Sequence, residues 1–166
     1  FEALNVRIEG ALADEEAIIR RATERVLEKE RARLEAEKTR RLVERLVEHR
    51  CRLLPEGDLR SFLASEWQQV MYRAHQQDGP RSAAWRETFA VLRALSGAED
   101  LDGPALHRAI ATGLGRLGRD PEQASGDAAR IIDRMLTDLV RSTDEEATPA
   151  PPPPRRFKPQ RRQMGE

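Results

Sequence analysis

A single cysteine, Cys51, in 166 residues leaves no partner for a disulfide within the chain and excludes a cysteine-based zinc site. Aromatic residues make up only 4%, and β-branched or aromatic stretches are nearly absent, so no segment reads as a strand. No apolar run approaches the roughly 20 residues a membrane-spanning helix needs, and no signal peptide is visible. Net charge is missing too, with 29 Lys/Arg against 29 Asp/Glu. Residues 1–54 carry thirteen basic against twelve acidic groups and residues 55–142 eleven against thirteen; only 147–166 tips basic, five to one. A neutral body with a basic tip lacks the electrostatic footprint of a nucleic-acid-binding domain, which argues against nucleic acid as a partner.

What remains is rich in Ala, Leu, Glu and Arg, a helix-forming composition. Asp14 is expected to open a helix that runs without Gly or Pro to about Arg52. Along it Leu12, Ile19 and Val26 fall seven apart, as do Leu27 and Leu34. Between Glu28 and Arg41 charged residues dominate, and along the helix the pairs Glu16–Arg20, Glu28–Arg31, Glu30–Arg33, Glu35–Lys38 and Glu37–Arg41 are expected at helical spacing. Leu42, Val43, Leu46 and Val47 then restore an apolar stripe, so residues 1–40 read as an exposed charged arm and the last turns as docked.

Residues 41–142 read as a compact helical domain. Pro55 and Gly57 break the first helix, and Leu59, Phe62, Leu63, Trp67, Val70, Met71 and Ala74 keep a helical rhythm over five turns. Ser82 is expected to cap a helix carrying Trp85, Phe89, Leu92 and Leu95, which Gly97 closes. Asp102 with Pro104 starts another, bearing Leu106, Ile110, Leu114 and Leu117 and stopped by Gly118. Asp120 and Gln123 make a capping box for the last helix, expected to bury Ala128, Ile131, Ile132, Met135, Leu136, Leu139 and Val140. Residues 143–166 lose apolar periodicity and read as a disordered basic proline-rich tail. The fold class is therefore all-α: a long charged helix, a small four-to-five-helix bundle and a tail.

Few motifs carry chemistry. Residues 113–118 spell GxGxxG, but the dinucleotide site needs a strand before it, and here a helix precedes. Gly118 is better read as a helix stop, and Gly113 and Gly115 as allowing close packing. His49, His75 and His107 fall on three different helices with no ligand at metal spacing, and no nucleophile triad or paired-carboxylate site emerges. Arg50 and Arg52 flank Cys51 and could activate it, though an inert, partly buried thiol is the preferred reading. Trp67 and Trp85 lie on apolar stripes and are expected to pack in the core. No catalytic, cofactor-binding or metal-binding residues are assigned. The one candidate site is a basic patch, Arg155, Arg156, Lys158, Arg161 and Arg162, suited to an acidic partner. Pro151, Pro154 and Arg156 also have the spacing of an SH3 ligand, a weaker reading.

With Leu54-Pro55, Phe62-Leu63, Trp67, Gly79, Trp85 and Leu95-Ser96 in view, the segment from about Arg40 to Leu139 resembles the C-terminal part of the bacterial DUF1631 family. The run Pro104, Leu106, Ile110, Gly113-Leu114, Leu117-Gly118 is the most specific piece. The resemblance implies helical architecture and a longer parent protein, which agrees with a chain that starts at Phe1 rather than Met. It supplies no catalytic residues. The expected function is a non-catalytic helical protein-interaction or scaffolding region of a larger cytoplasmic bacterial protein. Its expected partner is another protein or the N-terminal region of its own, with weak or no self-association, because the heptads of the coiled-coil-like arm are few. The alternative is a regulatory element of a cyclic-dinucleotide signalling protein, since related proteins carry a PilZ module and the tail arginines could meet phosphates.

Overall fold

The computed structural model describes residues 1–146, and among these it holds helices and connecting loops but no strand. Helix α1 (Glu2–Cys51) is 50 residues long, about 75 Å at 1.5 Å per residue. Helix α2 spans 58–78, followed by α3 (Ala83–Leu95), α4 (Gly103–Arg116) and α5 (Pro121–Glu146). The start of α1 corrects the expectation that Asp14 opens it. Gly10 lies inside the helix, because one glycine at about 1 kcal/mol is outweighed by the flanking Ala3, Leu4, Ala11, Leu12 and Ala13.

Helix α2 contacts each of the other four and forms the centre of the bundle. Leu63, Trp67, Val70 and Met71 on it are fully buried, as are Val91 and Leu92 from α3 and Ile110 and Leu114 from α4. Val43, Val47 and Cys51 bring the last turns of α1 into the same core, and Ala124 and Ala128 bring α5. One irregularity leaves no mark in the apolar rhythm. Leu63–Trp67 forms a π-helical turn, in which the Gln68 N–H donates to the carbonyl of Leu63 five residues back.

The helix ends follow their capping chemistry. Ser82 Oγ accepts the Trp85 N–H at 3.0 Å, and Asp120 Oδ1 accepts the Gln123 N–H at 2.9 Å. After α3 the chain turns through Gly97 at φ 75°, and the Ala98 N–H reaches back to Arg93 O at 2.9 Å, closing a Schellman motif.

The far end of α5 departs from expectation. Ala128 is buried, and Ile131, Ile132 and Met135 are half-buried, but Leu136, Leu139 and Val140 are more than half exposed. The apolar stripe continues along the helix past its buried stretch, and Leu139 still borders a groove shared with Leu53, Leu54 and Leu95. Periodicity reports which face is apolar and not how far the neighbouring helices extend.

Candidate interaction surface

The sequence-derived candidates, Arg155, Arg156, Lys158, Arg161 and Arg162, lie outside the described residues. Within them, the largest unabsorbed feature is the outer part of α1. From Glu2 to Glu35 all residues but Ala17 are exposed, whereas Thr39, Val43, Val47 and Cys51 are buried against the bundle. Large apolar side chains nevertheless occupy that outer part: Leu4, Ile8, Leu12, Ile18, Ile19 and Val26 are each at least 50% exposed.

At 100° per residue these six fall within one broad face of the helix. It is built from three adjacent rows at seven-residue spacing: Leu12, Ile19 and Val26; Ile8, Glu15 and Ala22; and Leu4, Ala11 and Ile18. Their rims differ. The edge beside the Leu12 row carries Glu2, Glu9 and Glu16, again seven apart, while the opposite edge alternates as Arg7, Asp14, Arg21 and Glu28. Nearer the bundle the helix pairs several of its own charges, with Lys38–Glu35 at 2.8 Å, Arg41–Glu37 at 2.9 Å and Arg52–Glu48 at 2.6 Å. Such exposed pairs stabilise the helix by only about 0.3–0.5 kcal/mol each.

The other groups singled out from the sequence are absorbed by packing. His75 Nδ1 lies 3.3 Å from Thr39 Oγ1, and its ring meets Trp85 edge-on at 5.0 Å, so it joins α1, α2 and α3. His107 Nε2 is 3.0 Å from the Ser125 carbonyl, linking α4 to α5. Trp85 is half-buried and stacks on Phe89; Trp67 is fully buried and donates its indole N–H to Thr88 O at 3.1 Å. Of the two glycines expected to permit close packing, Gly113 does: a Cβ there would lie 2.7 Å from the Trp67 ring. Gly115 faces open space.

Burial pushes the Cys51 thiol above its ordinary pKa, and Arg60 opposes the shift only in part. The thiol should therefore react slowly with a disulfide reagent at pH 7–8 and quickly once guanidinium unfolds the chain. Equal rates in both conditions would contradict its burial. Since the folded state favours the protonated thiol, its contribution to stability is present at neutral pH and is lost as pH rises through the raised pKa.

A charged belt joins α2 to α5. Arg119, just before α5, bridges Glu66 of α2 and Asp127 of α5, Arg130 also reaches Asp127, and Arg134 meets Asp58. These residues line a groove of about 300 Å³ between α2 and α5. Three arginines there face three carboxylates, so the groove presents no net charge to a ligand and serves to fasten α5 to α2.

Compared with known proteins, residues 27–132 match the family model described as the third domain of a protein of unknown function, DUF1631. No curated protein and no solved structure matches the chain.

Proposed function

The chain belongs to the DUF1631 family, with residues 27–132 as its third domain, and we propose that it serves as a non-catalytic helical protein-interaction or scaffolding element of a cytoplasmic protein. The observation that carries this reading is the exposed apolar face of α1. Large side chains held in water on a helix more than twice the length of its docked part are a stabilising resource that only a partner can use. The non-catalytic part of the reading rests on what the polar groups do. His75 and His107 tie helices together, Cys51 is buried with a raised pKa, and the arginines of the α2–α5 groove are neutralised by carboxylates.

The test is affinity capture with the native chain and with Leu12→Asp/Ile19→Asp. Both proteins should show the same thermal transition, because neither side chain touches the core. A helical partner should be retained by the native chain and lost by the variant. Equal capture by both would remove the arm as the interaction surface.

A further inference from the structure

Building on that interaction reading, we infer that residues 4–26 of α1 dock onto a neighbouring helical domain of the same polypeptide, against two of its helices, one of which lines arginines or lysines along the Glu2–Glu9–Glu16 edge. Three observations select this occupant.

The first is the width of the face. A two-stranded coiled coil fills two alternating rows and leaves their neighbours polar. Here the row that would complete such a seam reads Ile8, Glu15, Ala22, Lys29, and the third row supplies Leu4, Ala11 and Ile18 instead. Apolar residues spread over three rows are the pattern of a helix packed into a bundle, where it touches two neighbours at once. The residues between the rows agree. Ala3, Val6, Gly10, Ala13 and Ala17 make much of the first four turns small or apolar on the remaining sides as well.

The second is charge. Glu9 has no basic residue three or four positions away on its own helix; Glu16 has one, Arg20. The edge is thus acidic beyond what the helix itself offsets. An antiparallel second copy would set this glutamate edge against itself, a repulsion that disfavours that pairing, and a parallel copy would offer it only the mixed-sign rim of Arg7, Asp14, Arg21 and Glu28. A basic edge on the partner satisfies it, and the mixed-sign opposite rim makes only one orientation favourable.

The third is order along the chain. The match to a third domain begins at residue 27, so the unpartnered face lies on the side where, in the family's numbering, a second domain precedes. A continuous helix that leaves the bundle near Thr39, runs past the start of the family match at residue 27 and carries an apolar face beyond it is a rigid link whose outer turns belong to the neighbouring core.

Hydrogen exchange measured on the full-length polypeptide and on this 166-residue chain tests the inference. Amides of residues 4–26 should be protected at least about tenfold more in the full-length protein, while those of 58–131 exchange alike in both. In the full-length protein, Glu9→Lys/Glu16→Lys should remove most of that extra protection, and Leu12→Asp/Ile19→Asp should remove all of it. The 166-residue chain should sediment as a monomer at low micromolar concentration. Equal exchange in the two proteins, or a tight dimer with residues 4–26 protected, would overturn the inference. If the apolar variant releases the arm and the charge reversal does not, the basic-edged partner is wrong but the interaction reading stands. If neither variant changes exchange or capture, both fall.

Discussion

Trp67→Ala is expected to lower the melting temperature of the bundle by more than about 10 °C. Trp67 is fully buried on α2, the helix that touches all four others. Its ring packs over Gly113 of α4 and lies 6.0 Å from the Phe62 ring, and its N–H satisfies Thr88 O on α3. Truncation opens a cavity at the meeting point of three helices and removes the indole donor. Losses of this kind run at about 3–5 kcal/mol, against a total stability of about 5–15 kcal/mol for a domain of ordinary size. Circular dichroism should show the melt moved far down in temperature, over residual helix of which some comes from α1. Trp67→Phe should lose less, since it retains much of the ring volume. A Trp67→Ala protein with an unchanged melting temperature would contradict the packing described.

Gly113→Ala should destabilise by about 1–3 kcal/mol, the usual range for overpacking a filled core. In an exposed helix interior the same change would stabilise by up to about 1 kcal/mol. Sterics win here because the new Cβ would sit 2.7 Å from two atoms of the Trp67 ring and 2.9 Å from Val70 Cγ1. The indole is rigid and enclosed on every side, so relief requires α4 to move away from α2. Gly126→Ala provides the contrast, since Gly126 is an exposed position in α5 with nothing within 4 Å of its added Cβ. That variant should melt a few degrees higher than the native chain. The double variant Gly113→Ala/Trp67→Phe should recover part of the loss, because the two positions share one contact and are not additive. Chemical denaturation of the four proteins measures all of this; a neutral Gly113→Ala would mean that α2 and α4 are not in the close contact seen.

Much of this fold was legible in the order of residues. The 3.6-residue rhythm of Leu59, Phe62, Leu63, Trp67, Val70 and Met71 marked α2, and all six are buried. Ser82, Asp120, Gly97 and Gly118 stand where helices begin and end, because caps and left-handed turns depend on local chemistry that neighbouring residues carry by themselves, and Asp102 holds the N-cap position without a side-chain cap hydrogen bond. The return of an apolar stripe at Val43 and Val47 located where the long helix docks.

Other features needed the three-dimensional arrangement. Gly113 and Gly115 are equivalent as letters, and only the position of Trp67 beneath one of them separates a required glycine from an indifferent one. Glu66 lies 53 residues from Arg119 in sequence and joined the Arg119–Asp127 pair only when α5 was laid against α2. His75 showed no pattern until α1 brought Thr39 to it and α3 brought Trp85. The same limit explains Leu136, Leu139 and Val140, whose periodicity matches that of buried residues although the bundle leaves them more than half exposed. Sequence alone determined the helical type and the apolar face of each helix, and most helix ends though not the start of α1, since these arise from interactions a few residues apart. Which faces are covered, and by what, was decided by tertiary packing, because burial depends on how far neighbouring helices reach and no local pattern encodes that length.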